Sequence, residues 1–176
     1  MPLAEAELEA KPASAVLVLL RPAGDGLEVL LGRRVRREGD PWSGQISFPG
    51  GHRHAEDPSL LETALRETRE EVNLDVDRVT EVLGHLAPRA PGNVPEMLVV
   101  PFVARTDRRL APKPGPEMEE AFWAPLAELP PSGGQAVVPT RVGELRVPAF
   151  LWRGREVWGL TYRIREELLV VVGLSR

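Results

Sequence analysis

The segment Phe48–Leu74, FPGGHRHAEDPSLLETALRETREEVNL, constrains this chain more than any other. An α-helix advances about 100° per residue. At that pitch Leu61, Ala64, Leu65, Thr68 and Val72 form one stripe, the face that packs on a sheet. Glu67, Glu70 and Glu71 stand at i, i+3 and i+4, so their carboxylates converge on a neighbouring stripe, while Glu62 and Arg69 point away from both. Three like charges that close repel one another, and a helix tolerates them readily only with something cationic among them. Hard oxygen ligands of this kind suit Mg²⁺ or Mn²⁺.

Glutamates on a helix face are by themselves more often just solvated, and here the context decides. Pro49-Gly50-Gly51 ends a brief strand in a tight corner where no Cβ keeps the main chain from a metal or phosphate. Arg66 precedes the first of the three glutamates, and Asp57 lies where the loop can return to pair with it. Asp57 or Ser59 caps the helix start, and Asn73 stands just past its end, where a left-handed residue is wanted.

The remainder sets the frame. A chain of 176 residues fits one domain with a full core. No apolar run approaches the roughly 18–20 residues of a membrane span. With no cysteine, disulfides, thiolate zinc sites and cysteine nucleophiles are excluded. A net charge of −4 argues against a general nucleic-acid binder. The acidic start without an apolar stretch is unlike a signal peptide, and a cytoplasmic location is expected. Residues 1–12 read as an arm or short helix and 13–176 as a single domain. Ala15–Leu20 and Leu27–Leu31 form a hairpin around Pro22–Gly26, and Arg33–Gly44 is a loop. Ile46–Phe48 is a strand stopped by Pro49-Gly50-Gly51, and Leu60–Val72 a helix. Val79–Leu86 and Met97–Ala104 are strands, and Phe122–Leu129 a strand end with a helical turn. Leu145–Phe150 and Glu156–Trp158 are strands before a closing helix, Leu160–Val172, with Arg and Glu on its outer face. That order describes an α+β or α/β sandwich.

The segment resembles the Nudix box: a glycine followed by Glu, then Arg-Glu-x-x-Glu-Glu, a glycine and an apolar residue. Gly51, Arg66-Glu67, Glu70-Glu71 and Leu74 match. Asp57 stands for the early Glu with one extra residue before Arg66, and Asn73 for the late Gly; neither change touches the three carboxylates. The resemblance implies the α/β Nudix fold, a mixed sheet sandwiched between helices. It also implies a diphosphatase whose Mg²⁺ or Mn²⁺ is bound by Glu67, Glu70, Glu71 and a carbonyl at Gly51 (or Gly50), with Arg66 orienting the cluster. Such cations neutralise phosphoryl oxygens and acidify a bound water, and a base orients or deprotonates that water. The base lies at Glu70 or Glu71, or outside the box. The outside candidate is Glu117, ahead of Phe122-Trp123-Ala-Pro125, with Glu119 and Glu120 as rivals.

Leu30-Leu-Gly-Arg-Arg34, Gly44-Gln-Ile-Ser-Phe-Pro-Gly-Gly51 and Val157-Trp-Gly-Leu-Thr161 are similar to the coenzyme A pyrophosphatase branch. Gly32 departs from the threonine of that pattern, and Asp40 and Trp42 stand where it has Arg and His. The substrate implied is coenzyme A or a thioester, touched by Arg34, Trp42, Gln45 and Gly50. Alternatives are ADP-ribose, nucleoside diphosphate sugars, dinucleoside polyphosphates and nucleoside triphosphates, or a ligand-binding module without catalysis. No nucleic-acid or membrane partner is expected. Homodimers are common in the family, and no seam in this sequence demands one. His52 and His54 follow the glycine corner and read as loop histidines; His85 reads as a half-buried strand residue. The four tryptophans are core or rim, with Trp42 the one to stack on a base.

Overall fold

The computed structural model describes residues 13–40, 42–76, 78, 80–129, 134–140 and 143–174. The arm expected at residues 1–12 lies outside the described residues. The hairpin is formed by β1 (Ala13–Ala23) and β2 (Gly26–Arg34). Then come β3 (Ile46–Ser47), β4 (Gly50–His52), α1 (Leu60–Val72), β5 (Glu81–His85), β6 (Leu98–Arg105) and β7 (Met118–Pro125). A 3₁₀ turn at Leu126–Glu128 leads to β8 (Gly134–Thr140), β9 (Gly143–Trp152), β10 (Arg155–Trp158) and α2 (Gly159–Val171).

Strands β1 to β7 make one mixed sheet in the order β3-β2-β1-β6-β5, with β7 paired to β2 and β4 to β1. The β1–β6 pair is parallel from Ala13↔Leu98 to Leu20↔Arg105, and the other pairs are antiparallel. A central strand covered on both faces reads as a continuous apolar run, and β1 does so. Ala15, Leu17 and Leu19 face α1 in a core with Leu60, Ala64, Leu65 and Val72. Val18 and Leu20 face the opposite side, with Phe150, Trp152 and Val157 of a three-stranded β8–β10 sheet and Ile164, Leu168 and Leu169 of α2. The expected sandwich of helices about a mixed sheet is therefore present, its second face shared between α2 and the smaller sheet. Burying each such Leu or Val contributes roughly 1.5–3 kcal/mol, which is why the alternation along β1 fixes both layers. Among the described residues no helix is long and apolar enough to cross a membrane.

The structure corrects four expectations. The strand expected at Ile46–Phe48 ends at Ser47, but Gly50-Gly51 do not leave the sheet: the chain rejoins it as β4, pairing Gly50 with Val16 and His52 with Ser14 on the edge of β1 that β2 leaves free. Strand β2 runs on to Arg34 because β3 and β7 supply ladder partners on its two sides. The closing helix keeps Arg163 outside, as expected, but not Arg165, which is 1% exposed with its guanidinium 4.2 Å from the Phe150 ring centroid, a cation–π contact. His85 is exposed on the edge strand β5 and meets Phe102 edge-on. Strand β8 carried no sequence expectation; it pairs antiparallel with β9 along its length.

Candidate active site

The site grows from the corner between β4 and α1. At Gly50 a Cβ would lie 2.3 Å from the Ala15 carbonyl oxygen, and at Gly51 it would lie 2.5 Å from Glu67 Oε1. Neither contact can form, so only glycine lets β4 lie this close to β1 and lets the Glu67 carboxylate rest against the main chain. Helix α1 then begins at Ser59, whose hydroxyl accepts from the Glu62 amide at 3.2 Å. It ends at Asn73 in the left-handed conformation, φ 52°. Asp57 serves the corner instead of the cap, accepting from the His54 amide and the Thr63 hydroxyl, each at 2.9 Å.

Arg66 ties corner and helix together. Nε and Nη2 fork onto the two oxygens of Asp57 at 3.0 Å each, and Nη1 reaches Glu67 at 2.9 Å and Glu70 at 3.2 Å. Nη2 also donates to the His52 carbonyl at 3.0 Å, so all five of its N–H groups are used. The Arg66 bonds hold the Asp57 carboxyl well below the usual carboxylate range, despite its burial. Asp57 in turn pushes the guanidinium higher still. The expected pairing of Asp57 with Arg66 is present.

The three glutamates differ in setting. The Glu70 side chain is 58% exposed, Glu67 is half-buried, and Glu71 is buried at 2%. Burial raises the Glu67 carboxyl above its usual value and pushes Glu71 up to about 7. Two donors oppose that rise at Glu71: the Gly50 amide at 2.9 Å from Oε2, and Arg34 Nη1 at 3.1 Å from Oε1. Gly50, expected to touch substrate, has its amide already bound to Glu71.

Glu117 arrives by a route the sequence did not suggest. The orphan carbonyls at the end of α1 are taken by loop amides, Lys113 N–H to Val72 at 2.9 Å and Gly115 N–H to Glu71 at 2.8 Å. A Cβ on Gly115 would stand 2.2 Å from the Glu70 carbonyl oxygen, so this docking requires glycine. The loop brings Glu117 within 3.8 Å of Arg34 and 3.6 Å of Arg37. The rivals sit elsewhere: Glu119 is exposed at the bulge between β7 and β2, and Glu120 pairs with Arg33 and Arg155. Asp40, which entered the sequence argument only as a departure from a pattern, faces Arg34 at 3.6 Å and accepts from the Trp42 amide at 2.8 Å. Gln45 lies beside Arg34, whose amide donates to its carbonyl at 3.0 Å. Gly115 and Arg37 were missed altogether. A lone glycine or arginine in a loop gives no signal of what it will touch.

A divalent cation is tested by kind and by place. The donors are hard oxygens, and the Gly51 corner holds a carboxylate against main chain where a side chain would fill the space. Among the described residues no three acidic or histidine side chains gather around one point. Arg66 and Arg34 hold the carboxylates instead. The set fits a hard cation, which would take up the charge those guanidinium groups now share.

The family model for the NUDIX domain matches residues 11–140. The chain belongs to the Nudix family. Human mitochondrial coenzyme A diphosphatase NUDT8 is 36% identical over 168 residues, covering 93% of this chain and 71% of that one. The mouse peroxisomal coenzyme A diphosphatase NUDT7 is 40% identical over 84 residues, 47% of this chain and 34% of that protein. A solved MutT/nudix family protein from Enterococcus faecalis shares the fold with a TM-score of 0.59 at 22% identity, over 93% of this chain and 62% of its own. This Nudix protein is therefore a hydrolase of the diphosphate linkage in small nucleotide derivatives, and α1 with its glycine corner is its Nudix box.

Proposed function

We propose that this Nudix hydrolase cleaves coenzyme A or its thioesters, releasing 4′-phosphopantetheine and adenosine 3′,5′-bisphosphate. Glu67, Glu70, Glu71 and the Gly51 carbonyl would hold Mg²⁺ or Mn²⁺, which would neutralise phosphoryl oxygens and acidify a water. Arg66 keeps Glu67 and Glu70 aligned from its anchor on Asp57. Glu117, half exposed beside Arg34, accepts the proton of the attacking water, with Glu70 and Glu71 as the alternatives. Trp42 and Gln45 border the substrate from the loop ahead of β3. A cytoplasmic location belongs to this proposal, and fractionation decides it.

The observation that carries the substrate assignment is a single bond. Stretches 44–51 and 157–161, both similar to the coenzyme A branch, are far apart in sequence, yet Thr161 Oγ1 donates to the Ile46 carbonyl at 2.9 Å. They support one another as parts of one wall. The relatives named as coenzyme A diphosphatases point the same way.

Asp40 favours a second reading. A carboxylate on Arg34, where the branch pattern has a cation, suits a substrate without a 3′-phosphate, such as ADP-ribose. Incubation of the full chain with Mg²⁺ or Mn²⁺ and a panel of coenzyme A, acetyl-coenzyme A, ADP-ribose and a dinucleoside polyphosphate separates the two by product mass. Adenosine 3′,5′-bisphosphate as the major product is expected. Faster release of AMP from ADP-ribose would reassign the substrate.

A further inference from the structure

Arg34 stands at the β-bulge where the β2–β7 register shifts, a device that re-aims a side chain. It is held loosely: Nη1 lies 3.1 Å from Glu71 Oε1, and Nη2 is 3.6 Å from Asp40 and 3.8 Å from Glu117. Its Nε is buried with no hydrogen-bond partner among the described residues. Arg66 differs, since all five of its donors are committed. Glu71 is closed in on its other side, where Oε2 takes the Gly50 amide. Its side chain is only 3% exposed against 21% for Arg34, so the guanidinium covers the approach to this carboxylate. A second cation cannot share Oε1 with it without close like-charge repulsion in a poorly screened place.

We propose that Arg34 is an exchangeable counterion: a divalent cation entering at Glu71 displaces its guanidinium, which turns on Asp40 and Glu117 to face the diphosphate. The buried carboxylate is then never left unpaired, which would be costly. The cation that neutralised it becomes available to an incoming phosphate only once metal is in place. Arg34 thereby orders metal before substrate. The inference rests on the proposed role of Glu67, Glu70 and Glu71 as the metal ligands.

The test is Mn²⁺ binding to the full chain, followed by electron paramagnetic resonance, in the wild type and in Glu71→Gln, Arg34→Gln and Arg37→Gln. Arg34→Gln removes the competitor and is expected to bind Mn²⁺ about tenfold tighter, about 1.4 kcal/mol. Arg37→Gln deletes an equal charge at an exposed site and is expected to change affinity no more than about twofold. Unchanged or weaker binding in Arg34→Gln, or equal tightening in Arg37→Gln, overturns the exchange. No binding by the wild type, or wild-type binding by Glu71→Gln, overturns the metal reading and the exchange with it. Should Arg34→Gln not fold, the Arg34 guanidinium resonance of the wild type, assigned against Arg34→Lys, is followed by NMR through a Mg²⁺ titration. A large shift at saturation is expected, and an unmoved resonance overturns the proposal.

Discussion

At the scale of residues, Glu71 is where burial and charge meet. Its carboxyl is pushed from 4.5 to about 7, chiefly by burial. The folded protein therefore keeps a proton that the unfolded chain has already released across that interval. Stability owed to Glu71 is full below about 4.5 and declines as pH rises through about 7. Urea denaturation between about pH 5 and about pH 8 is expected to show this decline in the wild type and a flatter profile in Glu71→Gln. Equal slopes would mean that Glu71 is not held in the poorly solvated setting described. The identity of the three glutamates was legible from i, i+3, i+4 spacing, but not their inequality. Which one is buried depends on where β4 and Arg34 lie, and neither is local to α1.

Among elements, α1 was readable to the residue because every signal in it is local: the stripe, the Ser59 cap and the left-handed Asn73 all act within one or two turns. The segment that brings Glu117 to the site obeys longer-range rules. Lys113 and Gly115 satisfy the end of α1, and Glu117 is carried there as a consequence. In Gly115→Ala the new methyl meets the Glu70 carbonyl, and the backbone on both sides has little freedom to yield. Overpacking of this kind costs about 1–3 kcal/mol. The variant is expected to lose thermal stability and also kcat, the second approaching the loss by orders of magnitude expected of Glu117→Gln, which removes the proposed base. A fall in Tm with wild-type kcat would show that Glu117 does not depend on this docking to act.

For the whole molecule, the main sheet is shared by both core faces, and α2 with β9 and β10 closes the second of them. Residues 141–174 extend beyond the stretch matched by the family model, yet Phe150, Trp152 and Val157 share one buried core with Val18 and Leu31. We propose on this ground that 13–176 fold as one domain. Calorimetry is then expected to give a single transition whose calorimetric and van't Hoff enthalpies agree. Two resolved transitions would separate the C-terminal part.

Local periodicity, capping and composition were sufficient to set the helix of the Nudix box, its carboxylates, the hairpin and the sandwich class, since each depends on residues within a few turns or on totals. The return of the chain to β1 after Pro49, the burial of Arg165, the meeting of Glu117 with Arg34 and Arg37, and the bond from Thr161 to Ile46 were decided by tertiary structure alone. Each is an encounter between segments far apart in sequence. The free energy that selects such a contact comes from closing the core around it, and no short run of residues records that.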